Sequence, residues 1–161
     1  MANKPRPLLG LAAGVAAGLV ASAAMAAFQA QTHKLLPDQG DTDEDPATVQ
    51  AADAANEIVT GDPVPERYRE QAGQVVHYLV GGVLGGIYGV LAEYKPEASA
   101  GFGTAYGIAT SALLDEGAVP AAGLAPAPAD TSLVTHMYGT ASHLVFGWVL
   151  ESVRGMIAGR G

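Results

Sequence analysis

The feature that most constrains this chain is a set of small residues spaced four apart inside long apolar stretches. One row reads His77, Gly81, Gly85, Gly89, Glu93. Three others read Gly10, Gly14, Gly18, Ser22; Ser99, Gly103, Gly107, Ser111, Asp115; and Gly139, His143, Gly147, Glu151, Gly155. A step of four places such residues on one face of a helix. Small residues at that step let two backbones approach closely where lipid gives no hydrophobic drive for association. The rows predict an all-α, four-helix transmembrane bundle with glycine-rich packing seams. Its expected helix-packing residues are Gly14, Gly18, Gly81, Gly85, Gly89, Gly103, Gly107, Gly139 and Gly147.

Proline marks where the helices stop. All ten prolines fall between the apolar stretches, because a helix interior loses a hydrogen bond and gains a clash at proline. The blocks left over give spans at about 8–28, 73–93, 98–117 and 132–153, each near the ~20 residues needed to cross a bilayer. They form a single membrane domain over 1–161, with one large extracytoplasmic acidic loop at 30–72. Orientation follows from Lys and Arg near the span ends. Lys4, Arg6, Lys95, Arg154 and Arg160 fall on one side, which predicts that both termini are cytoplasmic. Tyr78 and Tyr138 then lie near the outer face, and Tyr94 and Trp148 near the inner one. The first span could also be read as a cleavable signal, with Ala24-Met25-Ala26 as its small-residue site. Its apolar region exceeds the usual ~7–15 residues, so the expectation is a retained span.

Charge is concentrated in one segment. Ten of the sixteen acidic residues fall within 33–70, so the formal net charge of −8 describes a loop. Eight scattered Lys and Arg form no basic stripe, which excludes nucleic acid as a partner. The absence of cysteine removes disulfides, thiolate metal sites and c-type haem attachment. Asp41, Asp43 and Asp45 alternate like a calcium loop, but Pro46 and Ala52 occupy the positions that need Gly and Glu. A solvated linker is the expectation there, followed by helical segments at 47–57 and 64–72.

Ionisable residues at membrane depth are functional candidates by default. His77, Asp115, Glu116 and His136 are expected near the outer face, and Glu93, Glu151 and Arg154 near the inner one. Glu151 and Arg154, three apart on one helix, can pair locally; Glu93 could pair with Arg154 or reach headgroup water. His143 stands apart: eleven residues into the last span, it is ~16 Å deep at 1.5 Å per residue. It could be a packing residue, or a proton-relay centre working with Glu151 through Tyr88 or Tyr106. The candidate relay or polar site is therefore His77, Glu93, Asp115, His143, Glu151 and Arg154. Haem would need two histidines at similar depth, and zinc would need His77, His136 and Asp115 or Glu116 to converge. No paired short-range spacing supports either, so no cofactor and no metal is expected. With no G-x-S-x-G elbow and no H-E-x-x-H, the residues carry no catalytic machinery, and the expectation is a non-enzymatic protein.

Several short pieces agree in order and spacing with a known pattern. They are His77 opening a span, Gly89-Val90-Leu91-Ala92-Glu93 with Pro96 following, and Gly123-Leu124-Ala125-Pro126. The last span then supplies Ser142-His143, Trp148, Glu151 and Arg154. Over residues 77–154 the chain resembles the YagU-like family of small bacterial inner-membrane proteins. It departs from that pattern in lacking an Arg-Arg pair after Glu151 and in the smallness of its third span. The resemblance implies a bacterial cytoplasmic-membrane location and a link to acid resistance, with no defined biochemical activity. The function expected is a role in acid or envelope stress, with proton or small-ion handling. An accessory subunit packing against a larger membrane complex is the alternative, and haem or metal binding through membrane histidines a lesser one. Besides the lipid bilayer, a homo-oligomer and a larger membrane complex are the partners left open.

Overall fold

A computed structural model describes residues 4–35 and 45–159. Most of the acidic 37–46 segment, with Asp41 and Asp43, and also Arg160 lie outside the described residues. The described chain is all-helical. Helix α1 (Pro7–Leu35) is the longest at 29 residues, about 43 Å at 1.5 Å per residue. It opens on Pro7, the first helical position, where a missing N–H costs nothing.

Helix α2 (Ala47–Thr60) is short and two-faced, with Val49 and Ala52 buried, and ends on Gly61 in the left-handed region at φ 86°. A 3₁₀ turn (Glu66–Tyr68) leads directly into α3 (Arg69–Tyr94). Helix α4 (Thr104–Leu113) is continued by a π-turn (Leu114–Ala118) and by the single turn α5 (Val119–Ala121), which contains Pro120. Helix α6 (Leu133–Ala158) is capped by Ser132, whose side chain accepts the Thr135 amide at 3.2 Å.

Helix α1 is central. It packs mainly on α3 and then on α6, while α4 packs on α6 and α2 on α3. Two contacts fix α1 and α6 as antiparallel. The Arg6 guanidinium donates to the Ala158 carbonyl at 2.6 Å at one end, and the rings of Phe28 and Tyr138 stack 6.4 Å apart towards the other. The buried side chains at the centre are Ala17, Ala21 and Met25 of α1, Tyr88 of α3, and Phe146 and Leu150 of α6.

The α1–α3 and α4–α6 contacts are made through backbone. A methyl group added at Gly14 would overlap the carbonyl of Gly85, one at Gly18 the carbonyl of Gly81, and one at Gly89 the carbonyl of Gly10. The second pair of helices repeats the arrangement: Gly103 lies against the Gly147 carbonyl, Gly147 against that of Gly103, and Gly107 against that of His143. Large apolar side chains point outward instead, with Leu79, Val83 and Ile87 of α3 63%, 62% and 55% exposed.

Among the described residues, two helices are both long and apolar enough to cross a membrane, Pro7–Leu35 and Glu66–Tyr94. The third apolar stretch does not form one helix over 98–117. Gly101, Phe102 and Gly103 carry φ values of 71°, 59° and 81°, a left-handed run that no α-helix tolerates, so the helix starts only at Thr104. With the π-turn and α5 that continue it, the helical run extends from Thr104 to Ala121, about 27 Å at 1.5 Å per residue.

A polar cavity and a buried ion pair

The polar residues of the bundle gather at two levels. At the end carrying α2, a cavity of about 430 Å³ lies between α1, α3, the π-turn and α6, with Pro46 and the start of α2 in its wall. Ser22, His77, Asp115 and His143 all line it.

Its centre is the contact of His143 with Asp115, Nδ1 to Oδ2 at 3.1 Å. Helical side chains lean towards their own N-terminus. His143 therefore reaches back over Gly139, and Asp115 back over Ser111. The Gly103–Gly147 and Gly107–His143 contacts bring Ser111 to the level of Gly139, so the two side chains meet there. Gly139 leaves the room: a methyl on it would sit 2.9 Å from Asp115 Oδ2. The same oxygen accepts from Ser111 Oγ at 3.0 Å. His143 Nδ1 also faces the Gly139 carbonyl at 3.1 Å. Both neighbours of Nδ1 can accept, so Nδ1 carries a hydrogen, and in the neutral tautomer this leaves a lone pair on Nε2.

His77 was expected near the outer surface, well above His143. It stands instead in the same cavity wall, its Nε2 3.2 Å from the Ser22 carbonyl. The helix starts at Arg69, so His77 is eight residues, about 12 Å, inside it. Ser22 is 1% exposed, and its hydroxyl has no hydrogen-bond partner among the described residues.

His136 and Glu116 form a separate pair, Nδ1 to Oε1 at 2.6 Å, with His136 Nε2 3.1 Å from the Pro128 carbonyl. Both ring nitrogens face acceptors, which suits an imidazolium. His77, His136 and the two acids do not converge, and no group of three potential ligands capable of holding a metal ion occurs among the described residues.

The second level is at the opposite end. Glu151 and Arg154 are each 3% exposed and form a two-point pair, Nε to Oε2 at 2.7 Å and Nη2 to Oε1 at 2.9 Å. The Tyr88 hydroxyl donates to Glu151 Oε2 at 2.9 Å, and the Arg154 guanidinium lies 5.9 Å from the Tyr88 ring centre. Glu93 pairs with neither Arg154 nor solvent alone. It accepts the Arg6 amide at 2.7 Å and meets the Arg6 guanidinium at 3.5 Å, joining the start of α1 to the end of α3. Sequence reasoning missed Arg6 as its partner, although the facing rows of Gly10 and Gly89 carried the signal.

No hydrogen bond among the described residues connects the two levels. Tyr88 is engaged with Glu151, and the Tyr106 hydroxyl donates to the Leu84 carbonyl at 2.7 Å, its ring 4.6 Å from that of Tyr88. Neither tyrosine reaches His143, and Phe146 and Leu150 fill the interior between.

A roof element completes the cavity. Arg69 binds Asp53 at 2.6 Å and Asp45 at 2.7 Å, and Val49 packs on Gly73. The guanidinium holds the Asp53 carboxyl below the usual carboxylate range.

No curated protein and no solved structure matches the chain. The family of proteins of unknown function DUF1440 matches residues 63–152, which takes in α3, α4, the π-turn and most of α6. The match covers more than half of the sequence, and the chain belongs to the DUF1440 family.

Proposed function

We propose that this protein is a non-enzymatic, multi-pass protein of a bacterial cytoplasmic membrane whose outer cavity takes up a proton or small cation, in a role in acid or envelope stress. The observation that carries the reading is the contact of His143 with Asp115 inside a cavity at one end of the bundle. A titratable pair at that depth is costly unless it is used. The apolar plug between the two polar levels favours uptake at one side over a continuous relay through the protein.

Membrane residence is supported by the distribution of side chains. Glycine, serine and paired ions face inward, and leucine, valine and isoleucine face outward, the reverse of what water selects. The two apolar helices fit the same reading. Four spans with both termini cytoplasmic, and the likeness to YagU-like proteins with its link to acid, extend it. Reporter fusions after residue 161 and within 47–60 should report opposite sides of the membrane.

The functional test is His143→Phe against His136→Phe, with survival of acid challenge and membrane abundance measured together. His143→Phe should abolish protection at normal abundance, and His136→Phe should leave it. Unchanged survival in both assigns His143 to packing.

One observation favours a second reading, an accessory subunit of a larger membrane complex. A groove of about 850 Å³ runs along α1 and α3 between Leu11, Val15 and Leu19 on one side and Val83, Ile87 and Leu91 on the other. Reproducible purification with one defined polypeptide, lost on Val83→Arg, would support that assignment.

A further inference from the structure

The cavity has a chemistry of its own that the proton reading leaves unused. Among the described residues its wall contains one carboxylate, Asp115, and no Lys or Arg. The rest is largely hydrocarbon, from Met25, Val76, Val80, Leu84, Leu114 and Phe146. The first turn of α2 also faces it, but a helix N-terminus carries about half a positive charge at most, less than the full charge of the carboxylate. An anion is therefore disfavoured. A metal ion is equally ill served, since no set of three ligands occurs among the described residues.

Beside Gln29 and Thr48, whose side chains both donate and accept, the lining offers acceptors on its two histidines and on Asp115. Ser22 Oγ is not among them, being closed off in the α1–α3 seam against Gly81. Among the described residues no hydrogen bond uses His143 Nε2, His77 Nδ1 or Asp115 Oδ1. At about 430 Å³ the space lies near the lower end of the ~300–1,000 Å³ typical of ligand pockets.

We propose that this cavity binds a primary ammonium group carrying a short apolar chain, with Asp115 as counter-ion and the two histidines as further acceptors. An ammonium brings three N–H donors and a single positive charge, and an alkyl chain suits the hydrocarbon wall. The inference rests on the reading of this cavity as the functional site and names its ligand class. The same chemistry is offered by a free alkylamine and by the headgroup of an ethanolamine phospholipid.

The test uses the full chain in nanodiscs of choline-headgroup phospholipid, with n-butylammonium and n-butanol as probes in calorimetry. Butylammonium should bind saturably and at least tenfold more tightly than butanol. Asp115→Asn should remove that preference while thermal stability stays near that of the unliganded parent. Ala51→Trp, which fills the cavity from the roof and leaves every acceptor in place, should abolish binding. Should Asp115→Asn not fold, the Ala51→Trp result and the comparison with butanol decide. Equal binding of the two probes, or binding unaffected by either variant, overturns the proposal.

Native mass spectrometry from mixed ethanolamine and choline lipids separates the sources. Selective retention of the ethanolamine lipid, displaced by butylammonium, makes the headgroup the ligand. Butylammonium binding without lipid retention makes it a free amine. Failure of butylammonium to bind while His143→Phe still abolishes acid survival would overturn this inference and leave the proton reading standing.

Discussion

Replacing Gly85 by alanine tests whether the bundle is held together backbone to backbone. A methyl group there would lie 2.7 Å from the Gly18 Cα and overlap the Gly14 carbonyl. Carbon pairs rest at about 3.5–4.0 Å, so α1 and α3 must separate by roughly 1 Å or tilt. Neither neighbour is a side chain that can swing away. Overpacking of this kind costs about 1–3 kcal/mol, and the better helix propensity of alanine returns up to about 1 kcal/mol. Gly82, three residues earlier on the same helix, is the control: its added methyl would meet Leu19 Cδ2 at 3.5 Å, ordinary contact. Gly85→Ala should therefore lower the apparent Tm in detergent by up to about 12 °C, from ~2–4 °C per kcal/mol in a chain of this size. Gly82→Ala should leave it unchanged or raise it. Equal shifts in the two variants would refute the seam, because composition and helix position are matched and only the face differs.

Glu151→Gln leaves the Arg154 charge buried without its counter-ion. With both side chains 4% exposed, a loss of about 3–5 kcal/mol is expected, read as detergent thermal stability, and Glu151→Leu with Arg154→Met should recover part of it. The docking of α2 should depend on acid with a defined sign. The folded Asp53 carboxyl is held low by Arg69, so its contribution is complete above the unfolded value of ~3.9. It is lost as pH falls through the lower folded value. Spin labels on Ala54→Cys and Gln71→Cys should keep one short distance from pH 7 to 5 and spread below about pH 4. Arg69→Gln should show the spread already at neutral pH.

Helix ends were legible where proline states them. Pro7 opens α1, whereas α2 was expected to stop at 57 and runs on to Thr60, where Gly61 closes it. The start of α4 was not legible, because Gly103 sits on the four-residue row and reads as helix, yet has positive φ. Which small residue faces which is a matter of register between helices, and no single row contains it. Helix α3 begins four residues before the apolar span, on polar Arg69, within the 64–72 segment expected to be helical. The pairing of His143 with Asp115 was present in the sequence as two steps of four, Gly139 to His143 and Ser111 to Asp115. It became visible only once the second seam put Gly139 opposite Ser111.

The closeness of the seams has a consequence for what binds them. At most of the seam glycines, a hydrogen stands where a side chain would begin and points at a carbonyl of the facing helix, Gly81 meeting the Ser22 hydroxyl instead. The pairs are reciprocal: Gly10 with Gly89, Gly14 with Gly85, and Gly103 with Gly147 each aim a Cα–H at the oxygen of the other. Such contacts contribute about 0.5–1 kcal/mol each, and in lipid no water competes for the oxygen. The glycines are thus weak hydrogen-bond donors as well as gaps. A substitution on either helix removes one donor and displaces the other.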